Sequence, residues 1–322
     1  MNQRPLIGLE DAFGVRAASL RRLQSKLLNL FESAGYGEVI PPLLERPEIL
    51  KTGAGKFLAD QTMVFSDPAD AGLLAVRSDI TPQIARIAAT RLLSSEELRL
   101  CYSGQVVLAR PESRHGSRQQ WQTGVECMGI PSPAGDIEVM RLAVESMHVA
   151  GFKTPVLQLG HVGLLKSLVS GSHVSLDRWT AHLARRSPDD MASLVAKADL
   201  SDMCSDALFV MASGHADAGW MKGRVGRIND EFDAAAKELI HLVEQLQDEL
   251  DDVSLQLDAA VMPRFLYHSG VIFAGFAEGV PYALLYGGRY DAMMAAHGRD
   301  MPATGFSLDL WAWLDSGIEV ES

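Results

Sequence analysis

Strands that arrive in hairpin pairs, separated by amphipathic helices, predict an α+β fold: an antiparallel sheet with helices packed on it. Two observations carry this expectation. Residues 98–129 hold two strand-like runs, Leu98–Leu108 and Gln119–Met128, around a charged loop that includes Arg110, Pro111, Glu112, Arg114, His115, Gly116 and Arg118. A second pair of runs, Arg264–Phe276 and Tyr282–Tyr286, is joined through Gly279 and Pro281. The 322 residues are enough for one large domain or two ordinary ones.

Taken in order, residues 16–34 form the first clear helix. Leu20, Leu23, Leu27, Leu30 and Phe31 share a stripe, and Gly35 stands where a C-terminal cap belongs. Val39–Ile40 read as a short strand running into Pro41–Pro42, which stiffen an extended connection. The stretch Lys51–Phe57, KTGAGKF, fails as a phosphate loop, because Leu50 stands at the first glycine and Phe57 at the hydroxyl position. It is expected to be a flexible loop. Leu73–Val76 is a strand, followed by a helix for which Thr81 is the expected N-cap and Pro82 the first helical residue. Arg77, Asp79 and Thr81 therefore occupy a strand-to-helix corner. Asp136–Ala150 is a further helix ending at Gly151, and Pro155–Leu159 a strand.

From about Gly163 to Asp252 strand alternation fades. Phe232, Ala236, Leu239, Val243, Leu246 and Leu250 recur at spacings of four and three, a helical packing seam. The expected organisation is a core in two parts, residues 1–162 and 253–322, with a helical insertion at 163–252. The insertion either packs on its own neighbours or offers a helix to a partner. Asp291–His297 reads as a helix. Phe306, Leu310, Trp313 and Leu314 suit a final buried one.

Composition narrows the function. The chain is 47% hydrophobic and 22% charged, with 41 acidic against 29 basic residues and a net charge of -12. That balance disfavours an extended nucleic-acid surface. Cys101, Cys127 and Cys204 are odd in number and widely spaced, so neither a disulfide framework nor a zinc pattern is expected, and a reducing cytosol is the simplest compartment. The nine histidines show no metal spacing. The N-terminus has no signal-peptide core and no run of about 18 apolar residues exists. No cofactor and no metal are expected.

In the run Gln119–Met128, Trp121, Thr123, Val125 and Cys127 share one mostly apolar face, and Gln120, Gln122, Gly124 and Glu126 the other. An amide and a carboxylate in one row, with a glycine between them, suit either a small polar ligand or water.

Six stretches then occur together and in order: GYGEVIPPLLE, RSDITPQIAR, the hairpin ending QWQTGVECMG, YHSGVIF, YGGRYDAMM and PATGFSLDL. In order and spacing they resemble the histidyl-tRNA synthetase catalytic domain. They resemble still more the synthetase-like regulatory subunits of short-form ATP phosphoribosyltransferase. The resemblance implies the class II aminoacyl-tRNA synthetase-like fold, dimeric through residues 31–45. It implies that Asp79, Thr81, Gln122 and Glu126 hold the α-amino group and neighbouring polar atoms of histidine, and that Tyr267 and His268 line the imidazole side. Arg110, Arg118 and Arg264 are the candidates for an additional pocket.

The departures matter as much. A synthetase meets charge on the α-phosphate with fixed cations, and the family's two arginines fall here at Leu108 or Ala109 and at Ala312. Asp309 and Trp311 replace a glycine and an acidic residue, and the histidine-motif arginine falls at Pro263 or, with a gap, at Arg264. The sequence stops soon after the last helix, so no anticodon-binding domain is expected. The resemblance implies no catalytic residue in this chain. Instead it implies a regulatory subunit of ATP phosphoribosyltransferase, the first step of histidine biosynthesis. Its partners would be the short catalytic subunit, a second copy of itself within a hetero-octamer, and histidine as effector. An active histidyl-tRNA synthetase and a free-standing histidine- or tRNA-binding paralogue are the alternatives.

Overall fold

A computed structural model describes residues 6–53, 55–111, 117–250, 252–261 and 267–318. The chain begins with α1 (Gly14–Ser33), β1 (Gly37–Glu38), β2 (Leu44–Glu45), α2 (Pro47–Lys51) and α3 (Gly55–Gln61). Then follow β3 (Met63–Ser66), β4 (Leu73–Val76), α4 (Thr81–Thr90), the hairpin β5 (Leu98–Val107) and β6 (Gln119–Met128), and α5 (Ala134–Ala150). Next are β7 (Pro155–His161), α6 (Val162–Leu168), α7 (Leu176–Leu183), α8 (Pro188–Val195), α9 (Asp202–Ala212), α10 (Ala218–Lys222) and α11 (Asp230–Glu249). The chain closes with β8 (Ser254–Leu257), β9 (Val271–Ala277), β10 (Leu285–Arg289), α12 (Asp291–Ala296), β11 (Ala303–Asp309) and α13 (Leu310–Asp315).

These elements divide into two compact units. One holds the described parts of residues 1–153, 265–267 and 290–322; the other holds those of 154–264 and 268–289. In the first unit the strand order is β1-β5-β6-β11, with β2-β4-β3 as a separate small sheet. β5 and β6 pair antiparallel from Leu98↔Met128 to Val107↔Gln119, and β11 pairs antiparallel with β6, placing Gly305 opposite Glu126. β1 runs parallel to β5, so the sheet is mixed rather than purely antiparallel.

Each face of this sheet has its own helices. Leu20, Leu23, Leu27 and Phe31 of α1 are buried, each contributing about 1.5–3 kcal/mol, and Phe31 meets Phe306 of β11 edge-on at 6.0 Å. On the other face Ile84, Ala85 and Ala88 of α4 and Met293 and Met294 of α12 share a core with Leu98, Leu100, Tyr102 and Val106 of β5. Gly35 and Gly151 end α1 and α5 at φ +87° and +103°, as their positions after the last helical turn require.

In the second unit the order is β10-β9-β7-β8, antiparallel except for the parallel pair β7–β8. The seam of α11 buries Phe232, Ala236, Leu239, Val243 and Leu246, and Asn229 caps the helix by accepting from the Phe232 N–H at 2.8 Å.

Several sequence expectations shift. The described part of residues 51–57 is not a flexible loop: Lys51 ends α2 and Gly55 begins α3, with Gly53 at φ +67°. Residues 303–309 are strand, not part of the last helix, because Thr304, Phe306 and Leu308 alternate with Ala303, Gly305 and Ser307 along β6. The helix starts only at Leu310. The first short strand lies at Gly37–Glu38 rather than Val39–Ile40, since the prolines pull the chain away from β5 after the Val39 N–H bonds Cys101. The second hairpin is formed by Val271–Ala277 and Leu285–Arg289. Its Arg264 end lies outside the described residues.

Candidate functional site

Residues 77–81 turn from β4 into α4, and buried Arg77 pins the turn. Its guanidinium donates to the carbonyls of Gln105 and Pro41, each at 2.8 Å. Asp79 then folds back so that Oδ1 accepts from the Thr81 N–H at 3.2 Å. This corrects the expectation that Thr81 caps α4. Its hydroxyl makes no cap bond and instead donates to Oε1 of Glu126 at 2.8 Å. A carboxylate is the stronger acceptor for that hydroxyl, and Asp79 already serves the Thr81 amide.

β6 supplies the floor. The amide of Gln122 bridges the corner: Oε1 accepts from the Ile80 N–H at 2.9 Å and Nε2 donates to Asp79 Oδ1 at 2.7 Å. Four residues on, Glu126 receives hydroxyl donors from Thr81, from Tyr102 at 3.1 Å and from Tyr290 at 2.5 Å. Tyr267 donates to Asp79 Oδ2 at 3.3 Å and packs edge-on against Tyr290 at 6.0 Å. Five residues expected from the sequence, Asp79, Thr81, Gln122, Glu126 and Tyr267, are thus joined in one buried network.

Two glycines make room for it. A Cβ on Gly124 would meet the Tyr102 hydroxyl at 2.8 Å, and one on Gly305 would collide with the Glu126 carboxylate and the Val125 carbonyl. Tyr102, Tyr290 and Gly305 were not among the expected site residues. The signals were present, since Tyr290 and Gly305 lie within YGGRYDAMM and PATGFSLDL, and Tyr102 falls on the same face of β5 as the core.

Burial pushes the Glu126 carboxyl up to about 8. Hydrogen bonds from Tyr290, Thr81 and Tyr102 oppose that shift, and Asp79 adds to it. Burial also holds Tyr102, Tyr267 and Tyr290 well above the usual phenol range, reinforced by Glu126 for all three and by Asp79 for Tyr102 and Tyr267. The phenols therefore remain donors at neutral pH. Two carboxylates, an amide and three phenols around one corner form a set that favours an ammonium group.

The remaining candidates sit elsewhere. His268 falls in the second unit, buried, with its ring against the backbone of Gly288. Arg118 spends its guanidinium on the Leu108 carbonyl at 3.0 Å and on Met63 Sδ at 3.3 Å. Arg110 is exposed, with its backbone N–H on Gln61 at 3.1 Å. Arg264 lies outside the described residues. Of the residues expected at the synthetase arginine positions, Leu108 is buried, its alternative Ala109 is half-buried with its N–H on the Gln61 carbonyl at 2.8 Å, and Ala312 is a residue of α13. Asp309 accepts from the N–H groups of Trp121 at 3.0 Å and Trp311 at 3.1 Å, capping α13. Among the described residues no three His, Cys, Asp or Glu side chains are grouped to hold a metal, and no helix is long and apolar enough to cross a membrane.

Comparison with known proteins bears on the family and the fold. The family model described as histidyl-tRNA synthetase matches residues 8–312. An ATP phosphoribosyltransferase regulatory subunit of Pseudomonas aeruginosa is 35% identical over 308 residues, covering 94% of this chain and 78% of that one. Its counterpart in Burkholderia pseudomallei is 36% identical over 307 residues, covering 94% and 79%. In fold, the chain is similar to a Bacillus halodurans structure described as an ATP phosphoribosyltransferase regulatory subunit/histidyl-tRNA synthetase. The TM-score is 0.84 at 24% identity, over 98% of this chain and 83% of that one. With a class II synthetase-like fold and relatives of this identity along nearly its whole length, the chain belongs to the histidyl-tRNA synthetase-like family that contains the ATP phosphoribosyltransferase regulatory subunits.

Proposed function

We propose that this chain is the non-catalytic regulatory subunit of an ATP phosphoribosyltransferase and that the network around Glu126 binds free histidine as the feedback inhibitor. The observation that carries the reading is a contrast within one sheet. The corner suited to an α-ammonium is intact, with Asp79, Thr81, Gln122 and Glu126 in mutual contact. The positions that would hold phosphate-binding arginines carry Leu108 or Ala109 and Ala312, and none of these side chains can stabilise charge on an α-phosphate. A protein that keeps the amino-acid site and lacks the cations for activation is suited to sensing.

On this reading phosphoribosyl transfer from phosphoribosyl pyrophosphate to ATP takes place in the short catalytic subunit, and the two chains form a cytoplasmic hetero-octamer, four of each. Self-association runs through residues 31–45, where Ile40, Leu43 and Leu44 are exposed. Histidine inhibits by binding one state of the assembly better than the other, because only differential affinity moves an equilibrium. Isothermal titration with histidine on the wild type and on Glu126→Ala tests the site. Loss of at least about tenfold in affinity is expected from removal of a charge-assisted partner, and equal affinities would sink the assignment. Co-expression with the short catalytic subunit tests the role: co-purification with a gain in its activity is expected. Histidine-dependent ATP–pyrophosphate exchange by the isolated chain would instead make it a synthetase.

A further inference from the structure

The face of the hairpin turned away from the amino-acid network carries a cavity of about 340 Å³, lined by Trp121, Trp311, Arg16, Arg21, Asp11 and Asp315, among others. Both arginines are already engaged. The Arg21 guanidinium lies 4.7 Å from the centre of the Trp121 ring and donates to Gln24 at 2.8 Å. Arg16 lies 4.9 Å from the centre of Trp311 and forks onto Asp315 at 2.6 and 3.3 Å. The Trp121 indole N–H is fixed on Ser103 at 3.1 Å. Glu10 and Asp11 also line the cavity. Asp11 is exposed and has no ion pair among the described residues. Two arginines against Glu10, Asp11 and Asp315 leave the lining with an excess of negative charge.

The rim is apolar. Ile7, Phe13 and Val15, in the segment that supplies Glu10 and Asp11, are 82%, 81% and 78% exposed. Large apolar side chains so exposed, one to three residues from lining residues in sequence, mark an interaction surface. Trp311 is one of the residues at which the sequence departs from the synthetase pattern, and the network around Glu126 makes no use of it.

Resting on the function proposed above, we propose that this face docks the catalytic subunit, whose contacting segment places a lysine or arginine in the aromatic-walled cavity and apolar residues on Ile7, Phe13 and Val15. A second cation is the natural guest of indoles that already accept cations and of a lining short of positive charge. Exposed apolar side chains on the segment that supplies Glu10 and Asp11 call for a polypeptide rather than a small cation. A second copy of this chain has its own exposed apolar segment at Ile40–Leu44.

The test uses the full chain co-expressed with the short catalytic subunit, comparing wild type with Asp11→Lys and Phe13→Ser, both surface changes. Each variant is expected to bind the catalytic subunit at least about tenfold more weakly, equivalent to about 1.4 kcal/mol, while titrating histidine in isolation as the wild type does. Asp11→Lys is also expected to lessen the salt dependence of association. Variants that bind the catalytic subunit like wild type overturn the docking face and leave the proposed function standing. Wild type that fails to bind the catalytic subunit overturns both. Variants that lose only self-association assign the face to a second copy, which also overturns the proposal.

Discussion

Alternate residues of β6 serve opposite purposes on the two faces of one hairpin. Inward, Gln122 and Glu126 are held by an amide, a carboxylate and three hydroxyls, and two glycines keep space for them. Outward, Trp121 and Thr123 hydrogen-bond Ser103, and Asp309 ties the Trp121 backbone to α13. The inner face is closed and specific in its polar partners; the outer face keeps a charged, aromatic cavity. The two arginine positions of the synthetase pattern have gone over to other duties. Leu108 is buried, its alternative Ala109 bonds the Gln61 carbonyl through its N–H, and the neighbourhood of Ala312 carries the cap and the indole of the outer side. That can be tested: an arginine placed at one of these positions meets surroundings built for another side chain.

Leu108→Arg is the strongest challenge to that view. The change places a cation where Leu108 is 1% exposed, and burying a charge without a partner costs about 3 kcal/mol or more. Urea denaturation is expected to show that loss, and the variant is expected to show no histidine-dependent pyrophosphate exchange. A stable variant with exchange activity would mean that the position still faces a nucleotide site.

Gly305→Ala breaks the inner face alone. The added Cβ collides with the Glu126 carboxylate and with β6 backbone that cannot withdraw, so overpacking is expected to cost about 1–3 kcal/mol. Histidine affinity should fall with it, while binding to the catalytic subunit through the outer face persists. Unchanged histidine affinity would remove Glu126 from the site.

How far the sequence disclosed this arrangement follows from what each residue's signal depends on. The period-two alternation of Gln119–Met128 is local, so the hairpin and the division of its two faces were legible. The corner at Asp79 and Thr81 and the polar row of Gln122 and Glu126 were each legible locally. That they meet, with Tyr267, was legible only through the family resemblance, since three segments far apart in sequence have to come together. Tyr290 and Gly305 were passed over because their roles are relational: one donates to Glu126 and the other only makes room for it. β2, with two residues, and β3 and β8, with four each, are too short to show a period. β11 was absorbed into the helix after it because Gly305 and Ser307 weaken its alternation. Thr81 was read as a cap because sequence shows the local acceptor and not the distant carboxylate that wins the hydroxyl.

Glu126 also separates the faces through pH. Its carboxyl lies near 8 in the folded chain against an ordinary value of 4.5, so the folded state holds a proton that the unfolded state releases. The resulting stabilisation is complete below pH 4.5 and is lost as pH rises through about 8, at up to about 1.4 kcal/mol per pH unit. Glu126→Gln should flatten that dependence, as the difference between the two proteins' denaturation midpoints at pH 5, 6.5 and 8 would show. An ammonium guest favours the ionised carboxylate, so histidine binding near pH 7 is expected to release a proton. The binding enthalpy would then vary with the ionisation enthalpy of the buffer. A parallel pH dependence of wild type and variant would place the proton elsewhere.

The mildest test belongs to the outer face. Asp309 Oδ1 caps α13 through the Trp311 N–H and also holds the Trp121 N–H. Asp309→Ala therefore removes one helix cap and one strand contact and should cost about 1–2 kcal/mol. Asp309 pairs with Gln122 across β6 and β11, whereas the hydroxyls bound to Glu126 come from Thr81, Tyr102 and Tyr290. The inner network should accordingly survive, with histidine affinity within about twofold of wild type, since changes without shared partners act nearly independently. The outer cavity is different, because both of its indoles depend on this carboxylate for the position of their backbone. If histidine affinity fell in step with stability, the two faces would be one cooperative structure, and the division of labour between them would have to be given up.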